Sequence, residues 1–464
     1  MGFFKSFFKA ITNPQTLIMA ALMVATGGTI AIAGISFGYM ATFAIYAAAS
    51  AALSALSPTP DMPNFGGDYG DYVREAASRT QMIKQPAKPR RVAYGNVRVS
   101  GVLSYISTTN SDSELHMVIA CVTHEIDSFV SFRIDEDNVS MIGNEVSAPA
   151  RFIDGNNRLV EINTHTGTDT QDADTFLTQR IKEWTAVHRL RGIAYMYCRL
   201  KFDADAFPQG LPNISAVIKG KKVFDPRDNS TAFSNNAALC IRDYLTDTRY
   251  GMSCSASEID DTAFIAAANI CDEDVALDAG GTQKRYTIDG TFETASAPKK
   301  ILENLLTACG GILTYTNGKF RLQVAGYRSP AITLVQGDFH GSIQLAAKQS
   351  QAENYNAVKG VYSPSENGFI PTDYPPIISS TFISEDNGET RYIDYDLPYT
   401  TDSARAQRLA KIVLFRNRQQ IVIQAQLSMK GFDLAIGDSV NVTLPRYGFN
   451  SKVFEVAEWN IALV

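Results

Sequence analysis

The chain has 464 residues, which is enough for two to four domains at the usual ~100 to 200 residues per domain. Its 42 Lys and Arg against 48 Asp and Glu leave a net charge of −6, which argues against a nucleic-acid-binding protein that neutralises phosphates. A hydrophobic fraction of 45% excludes intrinsic disorder of the whole chain. The cysteines form no Cys-x-x-Cys pair, so we expect mostly free thiols and folding in a reducing cytoplasm. They are Cys121, Cys198, Cys240, Cys254, Cys271 and Cys309.

The N-terminal residues 1–60 are predicted to form a hydrophobic helical segment, because no charged side chain lies between Lys9 and Asp61. The apolar stretch 16–56 is long enough for two helices that are interrupted at Gly27 and Gly28. Four interpretations stay open for this segment. They are a signal peptide, a membrane anchor, a buried hairpin, and a surface that meets another hydrophobic protein during assembly.

Four further regions follow in chain order. Residues 61–90 are rich in Pro and Gly and are predicted to be an extended linker arm. Residues 91–225 carry short alternating strands, residues 226–330 change to a helical period, and residues 331–464 return to strands with one helix. The expected fold class is therefore α+β, rich in strands, with a small α/β domain between two β domains.

Three helices and one hairpin are the sharpest local predictions. Asn236 is expected to cap a helix, and Pro298 opens a second helix that stops at Gly310. Asn317-Gly318 between two alternating runs predicts a type I′ hairpin. In the last third, Ser403 is expected to cap a helix that runs to about Arg416.

No catalytic signature is present, and we identify no catalytic, cofactor-binding or metal-ligating residue. His124-Glu125 begins like a zinc-protease motif, but position 128 is Ser, so the second histidine of that motif is missing. His116 and His124 lie eight residues apart, which on one strand is roughly 26 Å, and both are expected to be structural. A pair of catalytic carboxylates stays open, because their separation depends on the fold.

Three groups of residues are candidate metal ligands. Two acidic runs have the oxygen ligands that calcium needs, but they match no EF-hand spacing and are expected to be solvated turns. Three cysteines are one short of the four that iron–sulfur clusters usually need, and are expected to be buried. The groups are Asp135, Glu136 and Asp137; Asp272, Glu273 and Asp274; and Cys240, Cys254 and Cys271.

The order of five motifs resembles the central tail-hub, or tail-tip attachment, proteins of long-tailed bacteriophages of the lambda type. The first motif is RVAYGNVRVSG at 91–101, and the second is LHMVIACVTHEI at 115–126. The third and most specific is SNNAALCIRDYLTDTRYGM at 234–252. Two longer stretches also fit: the helix and hairpin of 297–324, and the helix at 403 followed by Gly437-Asp438-Ser439-Val440.

This resemblance implies hub domains of the β-barrel type and a structural role in the virion without enzymatic activity or cofactors. It implies a homotrimer that closes the distal end of the tail tube and opens for DNA, which is only passing cargo. The implied partners are distal tail and tail-tip proteins, the tape-measure protein, and a tail fibre or receptor-binding protein. The implied location is the tail tip of a virion whose proteins are made in the host cytoplasm.

Two features depart from the family pattern. The hydrophobic segment, through residues 16–56, is expected to pack inside the tail tip or to reach the host membrane. The sequence stops at Val464, where relatives run on into fibre regions, so the C-terminal end is expected to be truncated or its receptor-binding part to be carried elsewhere. Two alternatives remain: a bacterial surface protein anchored by residues 1–60, and a cell-wall hydrolase.

Overall fold

The computed structural model describes residues 20–24, 28–30, 79–83, 88–208, 210–348 and 354–460, the first eight by their backbone alone. Most of the hydrophobic segment and of the linker arm therefore lies outside the described residues. Strands β1 (Ala20–Val24) and β2 (Gly28–Ile30) pair antiparallel, and β1 also pairs with strands near the chain end. The prediction of helix is wrong at these eight residues, because their backbone groups bond to neighbouring strands. No helix of the described residues is long and apolar enough to span a membrane.

The first β domain is a sheet of nine strands that curls back towards its own beginning. Its order is β4-β14-β7-β8-β9-β12-β13-β6-β5, so the two end strands are consecutive in the chain. At the corner between them, a Cβ on Gly101 would lie 2.0 Å from the carbonyl oxygen of Ala120, which requires glycine. The strands are β3 Arg91–Tyr94, β4 Asn96–Val99, β5 Val102–Thr109, β6 Glu114–Val122, β7 Ser128–Ile134, β8 Asp137–Ile142, β9 Glu145–Ala148, β10 Ile153–Asp154, β11 Asn157–Arg158, β12 Val160–His165, β13 Ala194–Lys201 and β14 Ile214–Lys219, with helix α1 at Thr175–Arg180.

Strand β13 is buried on both faces, which explains its nearly continuous apolar sequence. Met196 and Cys198 face the main core of the sheet, whereas Tyr195 and Tyr197 pack with Trp184 on the other side. The apolar sequence of residues 189–202 by itself predicts one strand, but residues 190–193 form a turn with Gly192 at φ 73°.

The helical region follows and has the capping expected from its sequence. The Asn236 side chain accepts hydrogen bonds from the backbone N–H groups of Ala238 and Leu239, and Pro298 opens the third of its helices. Asn317 (φ 52°) and Gly318 (φ 78°) confirm the type I′ hairpin. The elements are β15 Lys222–Asp225, β16 Ser230–Phe233, α2 Ala237–Thr246, α3 Asp261–Cys271, β17 Asp274–Ala276, β18 Thr282–Lys284, β19 Gly290–Glu293, α4 Pro298–Thr307, β20 Ile312–Thr316 and β21 Lys319–Gln323.

The C-terminal sheet has seven strands in the order β22-β30-β31-β2-β1-β29-β23. Phe454 and Val456 are fully buried in its core. The Gly437-Asp438-Ser439-Val440 motif leads into its strand β30. The elements of this last third are β22 Ile332–Val335, β23 Phe339–Ala346, β24 Ala357–Lys359, β25 Val361–Tyr362, β26 Thr372–Asp373, β27 Ile377–Ile378, α5 Ser380–Glu385, β28 Tyr392–Asp394, α6 Ser403–Asn417, β29 Val422–Leu427, β30 Ser439–Leu444 and β31 Phe449–Trp459.

Residues 354–417 do not share the core of this sheet, although the sequence assigned them to the same domain. Val358, Leu397 and Leu409 are buried in one cluster with Phe264 and Leu305 of the helical region. The apolar side chains of this segment therefore share one core with those of helices α3 and α4, which lie on the other side of the predicted boundary at 330/331. The N-cap of α6 also differs by one residue. The Asp402 carboxylate, not Ser403, accepts from the Arg405 backbone N–H at 2.8 Å.

The strand-rich α+β class predicted from the sequence is confirmed.

Candidate functional site at the domain junction

The first and second motifs meet along strand β3, between the first β domain and the helical region. On one side, β3 pairs with β19 of the helical region. On the other, the Thr123 backbone N–H donates to the carbonyl of Arg91 at 3.0 Å, and the Lys221 N–H donates to the carbonyl of Ala93 at 2.9 Å. Strand β3 therefore joins two parts of the protein.

His124 fixes this joint as a neutral, buried imidazole. Its Nε2 accepts a hydrogen bond from the Ala93 backbone N–H at 2.9 Å, and its Nδ1–H donates to the Glu125 carbonyl at 2.7 Å. Burial lowers the pKa of His124 to about 4, so the ring is uncharged at neutral pH. His116 lies elsewhere in the sheet, with its Nδ1 2.9 Å from the Tyr197 hydroxyl and its Nε2 2.7 Å from Thr109 Oγ1.

The centre of the joint is a buried cation between two carboxylates of helix α2 and the turn after it. Lys221 Nζ lies 2.6 Å from Asp243 Oδ2 and also contacts Asp247, and the Tyr94 hydroxyl donates to Asp243 Oδ2 at 2.5 Å. Burial lowers the pKa of Lys221, but the two carboxylates outweigh it and raise that pKa overall. Burial raises the pKa of Asp243 despite this cation. We call Tyr94, His124, Lys221, Asp243 and Asp247 the motif junction.

The third motif supplies the turn that brings its residues to the junction. Asp247 Oδ1 accepts from the backbone N–H groups of Arg249 at 2.7 Å and Tyr250 at 2.8 Å. The Tyr250 hydroxyl then donates to the carbonyl of Thr123 in the second motif. A Cβ on Gly251 would lie 2.1 Å from the Tyr244 carbonyl oxygen, so the turn requires glycine there. All three motifs therefore converge on one contact region.

Lys221 is the junction residue that sequence reasoning missed. It lies outside every motif, in the Gly220-Lys221-Lys222 turn, and nothing in the sequence separates it from its neighbour Lys222. Lys222 is half-exposed and pairs with Glu125 at 2.8 Å. The structure shows that the preceding Gly220 approaches strand β3 closely, since a Cβ on Gly220 would lie 2.4 Å from the Ala93 carbonyl oxygen, but the sequence does not reveal this contact.

The acidic runs considered as calcium ligands are paired with basic side chains. In the first run, Arg98 lies 2.9 Å from Glu136, and Arg151 lies 2.9 Å from Asp137. In the second run the three carboxylates pair with Arg227, Arg285 and Lys284. Within the described ranges, no cluster of three or more His, Cys, Asp or Glu residues is arranged to hold a metal ion.

All six cysteines are free thiols, and all except Cys254 are buried. Burial raises the pKa of Cys271 to about 12 and that of Cys240 well above its ordinary value. Metal ligation uses the thiolate, so this environment favours the protonated thiol and a packing role.

The chain resembles a phage tail protein in sequence and a chain of a gene transfer agent virion in fold, although no protein-family model matches it. It is 22% identical over 275 residues to the tip attachment protein J of Escherichia phage SECphi27, a match that covers 52% of this chain. The match spans 22% of the length of that relative. The resemblance stated from the motifs is thereby confirmed.

One solved structure shares the fold of this chain. A chain of the native gene transfer agent virion superposes with a TM-score of 0.54 at 15% identity, covering 90% of this chain and 96% of that one. The 43 kDa tail protein of prophage MuSo2 from Shewanella oneidensis covers 80% of this chain and 93% of its own at 10% identity. Its TM-score of 0.27 is too low to indicate a shared fold. The protein is thus similar in sequence to a phage tip attachment protein and has the fold of a chain found in the virion of a gene transfer agent.

Proposed function

We propose that the protein is a structural component of a phage tail tip and acts as a homotrimeric central hub. In this proposal three copies close the distal end of the tail tube and open for DNA after host attachment. The observation that carries the proposal is the sequence match to a tip attachment protein over 275 residues. The fold shared with a virion chain over 90% of this chain supports it. A ring of three copies is a closed cyclic assembly of the ordinary kind.

The motif junction suits a structural role better than a catalytic one. Its charged and polar groups bind one another and the backbone. Lys221 pairs with two aspartates, and Asp243 also accepts a hydrogen bond from Tyr94. Both ring nitrogens of His124 are hydrogen-bonded to backbone groups. Such a network holds two domains in one orientation. We therefore propose a protein without enzymatic activity that works through assembly.

The proposed partners are the distal tail and tail-tip proteins, the tape-measure protein, and a tail fibre or receptor-binding protein. The hydrophobic residues 16–56 are proposed to contact the tape-measure protein, or the host membrane after ejection begins. DNA is cargo that passes through the opened ring. The proposed location is the tail tip of virions whose proteins are made in the host cytoplasm.

The first experiment is immunogold electron microscopy of a phage lysate, with antibody against residues 91–464. The proposal predicts gold at one end of tailed particles. Label on cell envelopes with none on particles would contradict it and would favour the membrane-anchored surface protein. Native mass spectrometry of the purified chain tests the oligomer, and the expected mass is three times that of one chain.

A further inference from the structure

A polar cleft lies where the first β domain, the helical region and the segment 354–417 meet. Its volume is about 390 Å³, and its lining includes Asn96, Gln283, Asp289, Phe369 and Arg405. Each of the three parts of the chain contributes at least one of these residues. The cleft is separate from the motif junction, whose residues do not line it.

The carboxylate in this cleft is already saturated by the protein. Asp289 Oδ1 accepts from the Asn96 backbone N–H at 2.8 Å and from Asn235 Nδ2 at 3.0 Å. Its Oδ2 accepts from Thr287 Oγ1 at 2.7 Å and from Thr401 Oγ1 at 3.4 Å. Asp289 therefore has little remaining capacity to bind a cation in the cleft.

Two residues that line this cleft each carry a buried donor without an acceptor. Arg405 is 6% exposed, and its two Nη atoms donate to Thr287 Oγ1 at 2.8 Å and to the Lys284 carbonyl at 3.2 Å. Its Nε is buried without a partner, and so is Nε2 of Gln283. Arg405 makes no ion pair within the part of the chain that the structure describes. A buried donor of this kind is costly unless an acceptor is supplied.

The surroundings of Arg405 favour a negative acceptor. Arg405 lies in the first turn of helix α6, whose N-cap Asp402 also lines the cleft. The N-terminus of a helix of 15 residues carries partial positive charge, which adds to that of the guanidinium. Burial lowers the pKa of Arg405, while Asp289 and Asp402 act in the opposite direction.

We propose that this cleft binds a carboxylate group, whose oxygens accept from Arg405 Nε and Gln283 Nε2. The lining carries Lys284 and Arg405 against Asp289 and Asp402, so its formal charge is zero. A singly charged carboxylate suits this balance, whereas a phosphate dianion would face two aspartates. The carboxylate comes either from a small free acid or from an Asp or Glu side chain of a neighbouring protein. This site does not depend on the proposed tail function.

The test is a titration of the full chain with each probe at neutral pH and constant ionic strength. The stability of the chain at each probe concentration is measured by thermal unfolding. The probes are sodium acetate, sodium phosphate and sodium chloride, and a blocked Gly-Glu-Gly peptide against its Gly-Gln-Gly counterpart. The expected result is saturable stabilisation by acetate, or by the Glu peptide, that chloride and the Gln peptide do not give. Stabilisation by acetate alone identifies a small free acid, and tighter binding of the Glu peptide identifies a protein side chain.

Gln283→Met removes one donor with little change in volume and is expected to weaken binding at least five-fold. The matched control is Gln344→Met on strand β23, whose side chain is exposed and outside the cleft. Arg405→Lys is the stronger perturbation, but it also removes structural hydrogen bonds, so Gln283→Met decides the outcome. Absence of saturation, unchanged affinity in Gln283→Met, or phosphate binding tighter than acetate would overturn the proposal.

Discussion

Replacing Lys221 with methionine tests whether the motif junction holds the domains together. The substitution keeps the length of the side chain and removes the cation that lies between Asp243 and Asp247. The three side chains are only 18%, 15% and 12% exposed, so the two carboxylates would stay buried without a counter-charge. Removing one partner of a buried ion pair costs about 3–5 kcal/mol. That is a large share of the ~5–15 kcal/mol by which proteins are usually stable.

The stability lost in the Lys221→Met variant should be larger at high pH than at low pH. Burial raises the pKa of Asp243 even when Lys221 is present, and removal of the lysine raises that pKa further above its unfolded value. Burial also acts to raise the pKa of Asp247, but hydrogen bonds from Lys221 and from the backbone of Tyr250 and Arg249 lower it overall, so removal of the lysine takes away part of this lowering. A group whose pKa is raised on folding favours the folded state below its unfolded pKa, and this contribution is lost as pH rises through the folded value. The Lys221→Met variant should therefore be least stable, relative to the wild type, at pH 7 and above. Near pH 4 its free energy of unfolding should approach that of the wild type.

The assay is chemical denaturation at pH 4.5 and pH 7.5, with hydrogen exchange at β3 and α2 to locate the change. The matched control is Lys222→Met at the next residue, whose pair with Glu125 is 38% and 44% exposed on its two sides. That pair is worth about 0–1 kcal/mol because solvent screens it. Equal losses for the two variants, or a Lys221→Met loss that is the same at both pH values, would refute the reasoning.

Three further predictions concern neighbouring parts of the structure. His124→Gln keeps an acceptor for the Ala93 N–H and does not titrate, so it should abolish the loss of stability, about 3 kcal/mol, that the wild type shows as pH falls from 6.5 to about 4, as measured by denaturation across that range. Gly95→Ala should cost more stability than Gly143→Ala in thermal unfolding. Both glycines have positive φ (65° and 61°), but only a Cβ on Gly95 meets a backbone oxygen, that of Ile288 at 2.1 Å, whereas nothing lies within 4 Å at Gly143. Asn236→Ala should cost about 1–2 kcal/mol in denaturation, because the N-cap of α2 is lost, and Asn236→Asp should recover part of it.

Local chemistry made several elements predictable from the sequence. Asn236, Pro298 and Asn317-Gly318 each act within a few residues of their own position, so their effect needs no knowledge of the rest of the fold. The N-cap of α6 shows the limit of this reasoning. Asp402 and Ser403 are both good N-cap residues, and which of them caps the helix depends on the residue at which the helix begins. Strand β13 began later than predicted, because its apolar sequence extends into a turn.

The tertiary arrangement was less predictable, because it depends on contacts between distant residues. Nothing local in the sequence shows that the segment 354–417 buries its side chains in the same core as those of α3 and α4. Lys221 shows the same limit at the junction: its partners lie 22 and 26 residues away, and the adjacent Lys222 has the same sequence context. The cleft is formed by residues from three parts of the chain, so no single stretch of sequence indicates it.

The positions of the motif residues explain why the order of the motifs along the chain resembles that of tail-tip attachment proteins. Each motif supplies a group that another motif requires: Tyr94 donates to Asp243, the Ala93 N–H donates to His124, and Tyr250 donates to Thr123. A change in one of them leaves a buried partner unsatisfied in another, which is costly. Residues coupled in this way define the relative position of two domains and not a reactive centre. Their spacing along the chain is therefore a signature of the way in which the two domains are joined.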